Sequence, residues 1–369
     1  MLSTHTAPAM HKCHKKEKKR SLHPHLIIHL THYNFQSRLT PNATFVAKLR
    51  LFSALFMKSY SFLLKKTKRF NNFASLFSIM AKEGEEFRVD IDQVLKDKLG
   101  DRAKFVPSFL TSWLKNIIHQ DWMNVHLCGE GKGQVGVEWL DGCLNYLHCK
   151  TKVQTNINGT IQEGLDALPS NEGGRYFTIV SNHPLGGQDG IALGSIICHK
   201  YDSQMVYLVN DILMSFKGLA PLCVPINKTG RNGRNFPKMV EAAFQSEKNV
   251  VMFPAGLCSR KGEDGIIKDI EWKKTFISKS IQYHRDVIPV HFSGQNSDRF
   301  YNIARWCKRL HIKFNVAMLY LADEMYKNQG KTFTVTFGEP IPWQTFDKSK
   351  TPTQWAQWVK EKVYQLAKE

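Results

Sequence analysis

Residues 176–193 read Tyr-Phe-Thr-Ile-Val-Ser-Asn-His-Pro-Leu-Gly-Gly-Gln-Asp-Gly-Ile-Ala-Leu. Tyr176 to Val180 is a β-branched and aromatic run, the pattern of a buried strand. Pro184, Gly186 and Gly187 cut it off with a tight loop. Asp189 has the chemistry to cap a helix through Ile191, Leu193 and Ile197. The stretch is therefore a strand, a glycine-rich turn and a helix, with His183 and Asp189 on the connection. Polar side chains at the carboxyl end of a strand in an open α/β sheet stand where such folds bind ligands. A histidine alone in a Gly-Pro turn is ordinarily a turn residue with a satisfied ring. A carboxylate beside it can take the Nδ1 proton, fix the tautomer and leave Nε2 as a base near neutral pH.

Outward from this unit the texture alternates. Strands are expected at 152–158, 175–181, 204–209, 222–226, 248–253, 287–292 and 332–337, and helices at 189–200, 235–246, 271–284, 300–310 and 351–367. Such alternation implies crossover units and an α/β fold, a mostly parallel twisted sheet flanked by helices. Upstream, Phe87 to about Tyr146 reads as helical. Leu110, Leu114, Ile117 and Ile118 form an apolar stripe with Phe109 and Trp113 alongside, and Pro107 fits its first turn. The stripe fits core packing, while two aromatics on a short basic helix keep an interfacial role open. Gly131-Lys132-Gly133-Gln134-Val135-Gly136 matches a dinucleotide fingerprint in letters only. It follows no expected strand and reads as a loop between helices.

The 369 residues carry a net charge of +19, unevenly placed. Residues 1–79 hold 14 Lys and Arg against one acid, Glu17, which leaves +6 for the rest. This segment reads as a transit peptide, a nucleic-acid or membrane arm, or sequence upstream of a true start at Met80; the last is favoured, with a mostly disordered extension. The expected organisation is the basic extension 1–79, a helical part 80–150 and an α/β domain 151–369. No window reaches 18 apolar residues, and the pattern of a secretory signal is missing. The eight cysteines form no Cys-x-x-Cys pair, which fits buried thiols in a reducing cytoplasm and no structural zinc.

Cations gather past two strand ends. Pro225-Ile226-Asn227-Lys228-Thr229-Gly230-Arg231 follows one, and Phe253-Pro254-Ala255-Gly256-Leu257-Cys258-Ser259-Arg260-Lys261 follows the next. Trp272-Lys273-Lys274-Thr275-Phe276 then opens a helix. Each cluster alone is an ordinary solvated surface. Together beside His183 they would make a pocket for a phosphate or carboxylate.

Four ordered blocks in residues 150–345 resemble the glycerolipid acyltransferases, the glycerol-phosphate and lysophosphatidic acid acyltransferase superfamily. Asn182-His183-Pro184 through Asp189 is similar to the family's His-x4-Asp box. Pro225-Ile226-Asn227-Lys228 resembles its acceptor loop, and Phe253-Pro254-Ala255-Gly256 its Phe-Pro-Glu-Gly-Thr-Arg. Val287-Ile288-Pro289-Val290 resembles its hydrophobic Pro strand. The departures point to a divergent, bacterial-type branch. Five residues, not four, separate His183 from Asp189, and the literal x4 position is Gln188; Gly186-Gly187 is read as absorbing the extra residue. Ala255 stands in place of the Glu, and Arg260 is displaced past Leu257 and Cys258.

The resemblance implies direct O-acyl transfer from acyl-CoA or acyl carrier protein to a lysophospholipid or glycerol-phosphate-like hydroxyl. His183 would be the general base and Asp189 its partner, with no cofactor or metal. The alternative acceptor is a lyso amino-acid lipid or another molecule without phosphate, suggested by Ala255. The substrate-binding set is Asn182, Gly186, Gly187, Lys228, Arg231, Gly256, Ser259, Arg260 and Lys273. Turn amides near Gly186 or Gly256 are the expected oxyanion donors, and no Gly-x-Ser-x-Gly elbow is present. The expected setting is the inner face of a membrane, peripherally, in phospholipid biosynthesis and without nucleic acid. The competing class is a basic membrane- or nucleic-acid-binding protein without chemistry.

Overall fold

Short β-branched runs between amphipathic helices build one eight-stranded sheet in the computed structural model, which describes residues 88–226, 236–310 and 316–367. The basic segment 1–79, Lys228 and Arg231 lie outside the described residues. The strands are β1 Lys150–Ile157, β2 Thr160–Glu163, β3 Thr178–Ser181, β4 Met205–Asn210, β5 Cys223–Ile226, β6 Asn249–Met252, β9 Val287–Phe292 and β10 Thr332–Gly338. Between β6 and β9, Arg260–Lys261 (β7) and Ile267–Lys268 (β8) make a separate two-stranded ribbon. The order in the main sheet is β2-β1-β10-β9-β3-β6-β4-β5. β9, β3, β6, β4 and β5 run parallel, whereas β10 is antiparallel to β9 and β2 to β1.

Every expected strand is present. β2 is additional, and Asn158-Gly159 before it explains why. Both residues have positive φ (52° and 78°), as the two-residue turn of a tight hairpin requires. β2 is exposed along its whole length, so it has no apolar alternation to reveal it.

The helices are α1 Ile91–Leu99, α2 Ser108–Ile117, α3 Gln120–Cys128, α4 Val137–Tyr146, α5 Gln188–Lys200, α6 Phe236–Gln245, α7 Thr275–Tyr283, α8 Asp298–Arg309, α9 Tyr320–Lys327 and α10 Pro352–Gln365. The helical stretch before β1 is thus broken into separate rods. Pro107 precedes α2 as its N-cap instead of sitting in its first turn. Residues 131–136 form the loop between α3 and α4. On α2, Leu114 and Ile117 are buried while Phe109 is 63% exposed, so one face packs and an aromatic stands out. α10 starts where Thr351 and Gln354 form a reciprocal capping box with Pro352 just inside the helix, an arrangement legible in the sequence.

The sheet is sandwiched between helices. Ile179 of β3 packs in a core with Trp139 and Leu140 of α4 and Leu193 and Ile197 of α5. Its neighbour Val180 points the other way, into a core with Phe244 of α6, Phe276 of α7 and Val359 of α10. That alternation is the period of two of a strand buried on both faces. Each such fully buried side chain contributes about 1.5–3 kcal/mol.

The order of crossovers positions the site. From β3 the chain passes through α5 to β4 and then β5, and returns through α6 to β6 beside β3. It then goes through α7 to β9 on the opposite side of β3. The winding reverses at β3, and the carboxyl ends of the strands at such a reversal are where open α/β folds bind ligands. His183 and the segment after β6 both emerge at this edge.

Candidate active site

β3 ends at Ser181, and Asn182 anchors the turn that leads out of it. Its amide Nδ2 donates to the Phe292 carbonyl at 2.9 Å and its Oδ1 accepts from the Phe292 N–H at 2.7 Å. The side chain therefore extends the β3–β9 ladder instead of facing a ligand. His183 comes next, and its Nδ1 lies 2.9 Å from Asp189 Oδ2. Asp189 is buried completely, and its carboxylate accepts four backbone amides: Leu185 (2.9 Å), Gly186 (3.2 Å), Gly187 (3.0 Å) and Gly190 (3.0 Å). Such a carboxylate can only accept from the ring, so Nδ1 carries the proton, and in the neutral ring Nε2 keeps its lone pair. Nε2 has no hydrogen-bond partner among the described residues, and 18% of the His183 side chain is exposed.

Asp189 is not the N-cap of α5. That position is Gly187, and Asp189 is the second helical residue, reaching back to organise the turn. The five-residue spacing works because Gly186 takes a φ of +79°, a left-handed conformation that glycine alone adopts without strain. The extra residue, Gln188, turns away and donates to Cys149 Sγ at 3.3 Å. α9, a helix the sequence pattern does not reveal, covers the turn. A Cβ on Gly186 would meet Leu321 at 2.9 Å, and one on Gly187 would meet Met325 at 2.8 Å.

Burial opposes the charged imidazolium, but the Asp189 carboxylate outweighs it and raises His183 above the ordinary histidine value. Burial pushes the Asp189 carboxyl up, and the imidazole with the turn amides brings it below the usual aspartate range. Each shift favours the ion pair of carboxylate and imidazolium.

The segment after β6 closes the site. Phe253 stacks on the His183 ring, centroids 4.1 Å apart with planes 24° from parallel. The Gly256 N–H closes a turn on the Phe253 carbonyl at 2.9 Å. Gly256 has φ +68°, and a Cβ there would lie 2.7 Å from Lys273 Nζ; the bare backbone lets the exposed lysine lie across it. Ser259 N–H donates to the His183 carbonyl at 2.7 Å, and the Ser259 hydroxyl turns inward to Asp269 Oδ1 at 2.6 Å. Arg260 donates through Nη1 to the Cys258 and Ser259 carbonyls and to Cys258 Sγ. Its guanidinium carbon stands 5.6 Å from the Phe300 ring centre. Among the described residues Arg260 has no carboxylate within ion-pair distance, so a half-buried cation near His183 has no counter-ion there.

The structure therefore brings His183, Asp189, Ser259 and Arg260 together, with Lys273 lying against Gly256 of the same segment. It gives inward hydrogen bonds to several expected ligand groups: Asn182 to β9, the Gly186 and Gly187 amides to Asp189, the Gly256 amide to its own turn and Ser259 to Asp269. The expected oxyanion donors at Gly186 and Gly256 are engaged because the turns that place them need those amides. Asp269 and Phe253 are additions to the expected set. Asp269 lies 86 residues from His183 in a charged loop with no local signal, while Phe253 is visible in the third block.

The profile of the family described as Acyltransferase matches residues 93–369. The chain belongs to the acyltransferase family. It is 59% identical over 280 residues to a lyso-glycine lipid O-acyltransferase of Bacteroides thetaiotaomicron, covering 76% of this chain and 98% of that relative. It is 58% identical over the same length to a lyso-glycine lipid O-acyltransferase of Phocaeicola vulgatus, covering 95% of that relative. The solved structure of a 1-acyl-sn-glycerophosphate acyltransferase from Thermotoga maritima aligns with a TM-score of 0.37 and 15% identity, over 63% of this chain and 81% of that one. The protein is an acyltransferase, as the four blocks imply, and the reading of a basic binding protein without chemistry gives way. Among the described residues no helix is long and apolar enough to cross a membrane.

Proposed function

We propose that this acyltransferase moves a fatty acyl group from a thioester to the hydroxyl of a lyso-glycine lipid. The observation that carries the acceptor is the 59% identity to a relative of that activity along nearly its whole length. The site fits it. A glycine joined through its nitrogen leaves a carboxylate, and Arg260, without an acidic partner, matches one. Ala255, 1% exposed and packed in the core with Val180 and Phe276, takes no part in that contact. The glycerol-phosphate-like acceptor, the first expectation, is the poorer reading.

In the proposed reaction His183 Nε2 takes the proton of the acceptor hydroxyl as its oxygen attacks the thioester carbonyl. Asp189 holds Nδ1 and stabilises the imidazolium that forms. The tetrahedral intermediate then collapses, the C–S bond breaks, and the imidazolium returns its proton to the departing thiolate. General-base catalysis of this kind is worth about 10²–10⁴-fold. The donor is CoA- or acyl-carrier-protein-bound. The exposed aromatic of α2 supports a peripheral seat for the protein at the inner membrane surface.

The test is acyl transfer from a radiolabelled thioester to lyso-glycine lipid, lysophosphatidate and glycerol 3-phosphate, by wild type and His183→Ala. Labelled glycine lipid from wild type, and at least about a hundredfold less from His183→Ala, is the expected result. Preference for a phosphate acceptor would sink the acceptor assignment, and full activity of His183→Ala the base.

A further inference from the structure

A second buried carboxylate touches the base from behind. Asp269, in the loop between β8 and α7, is 4% exposed. Its Oδ1 accepts from the His183 backbone N–H at 3.2 Å and from the Ser259 hydroxyl at 2.6 Å, and its Oδ2 accepts from Trp272 Nε1 at 2.9 Å. Its own backbone is tied to α10: the N–H donates to the Tyr364 hydroxyl at 2.8 Å, and the carbonyl accepts from Lys360 Nζ at 2.6 Å.

We propose that Asp269 is a positioning residue for the transfer reaction, locking the His183 backbone to the Ser259-Arg260 segment and setting a second fixed negative charge beside the imidazole. The inference rests on the reading of His183 as the base.

Two facts carry it. The His183 backbone is clamped on both sides, its N–H by Asp269 and its carbonyl by the Ser259 N–H, and Ser259 is itself held by Asp269. Base and acceptor cation are thereby fixed relative to each other through one carboxylate. Second, all three donors to that carboxylate are neutral. The Lys360 ammonium reaches the Asp269 and Ile270 backbone carbonyls, and among the described residues no cation forms an ion pair with the Asp269 side chain. Its carboxylate is held by neutral dipoles against the His183 backbone, from where it favours the charged form of the ring. The charged groups facing His183 are Asp189 from α5, Arg260 from β7 and Asp269 from the loop after β8. The two acids favour the imidazolium, and the arginine opposes it.

The experiment is the pH dependence of kcat/KM for the full chain, read for wild type, Asp269→Asn and Ser259→Ala, alongside an NMR titration of the His183 ring. Asp269→Asn keeps an acceptor for the His183 N–H and removes the charge. Its acidic limb and ring titration move to lower pH by about one unit, and kcat falls with the weakened base. Ser259→Ala removes one of the dipoles that shield this carboxylate from the ring, so both readings move upward by a smaller amount. A merely structural role would lower activity in both variants without shifts of opposite sign, and unmoved acid limbs and titrations overturn the proposal. If Asp269→Asn does not fold, Ser259→Ala decides alone: an upward shift supports the assignment, and none overturns it. The ring titration needs no turnover, so it separates failure of this inference from a wrong acceptor.

Discussion

The two segments that meet at the carboxyl ends of β3 and β6 are built on opposite plans. In the turn after β3 the available polar groups are matched internally: four amides and an imidazole converge on Asp189. In the segment after β6 the matching stops short at Arg260, whose charge has no acidic partner among the described residues. Closed hydrogen bonding makes a rigid device, suited in the proposed mechanism to one operation on any hydroxyl brought to it. An unmatched charge makes a device that selects what is brought. The difference explains how the pair His183–Asp189 can be kept while the segment Ala255–Arg260 departs from the block it resembles.

Replacing Asp189 strikes at the closed segment and carries the largest expected effect. Asp189→Asn should lower kcat about a hundredfold or more, since the ring loses the partner that fixes its tautomer. The pH profile should move with it. In the wild type the base must be neutral to act, and its value is raised, so activity climbs through an acidic limb above 6.5. Without the carboxylate, burial and Arg260 oppose the imidazolium with only Asp269 left to favour it, and the limb moves to lower pH. A limb that stays in place in Asp189→Asn would mean that some other group titrates there. The stability linkage has the opposite sense. A raised histidine adds stability that is complete below its unfolded value and is lost as pH rises through its folded one.

The open segment is probed by Arg260→Ala. A charged hydrogen bond is worth about 1.5–3 kcal/mol, so KM for the acceptor should rise by about 10- to 100-fold, with KM for the thioester and kcat little changed. Equal loss on every acceptor, charged or neutral, would place Arg260 among the structural groups and erase the contrast. Smallest is the effect of Gly186→Ala, which forces a side chain into a left-handed conformation and against Leu321. It should cost about 1–2 kcal/mol, read as a fall of a few degrees in Tm. Leu321→Ala in the same chain should recover the part due to contact and leave the part due to backbone.

Much of this architecture was legible in the residues, and the gaps have physical causes. β3, β6 and β9 were visible because strands buried on both faces are continuous apolar runs. β2 was not, because an exposed edge strand has no apolar face; its Asn158-Gly159 turn was the one signal available. α9 was missed because Tyr320–Lys327 is short and mixes Asp323, Glu324 and Lys327 with its apolar residues. The His183–Asp189 pair could be chosen over Gln188 on chemistry alone, since glycines tolerate a longer turn. What sequence could not supply was direction. Nothing in the letters of Asn182 or Ser259 tells that each faces inward, and nothing local marks Asp269 as the residue that joins nearby Trp272 and Ser259 to distant His183.

The stacking of Phe253 on the His183 ring has a consequence for when the enzyme meets the cost of order. An imidazole free to rotate would have to be frozen at every turnover, and that loss of entropy would be part of each barrier. Here the ring is already held between an aromatic face and a carboxylate 2.9 Å away. The freezing takes place once, during folding, at the expense of the stability of the native state rather than of the rate. A protein that carries its reacting geometry in this way is less stable than its packing alone would allow, and each catalytic cycle starts with the search for the right orientation already finished.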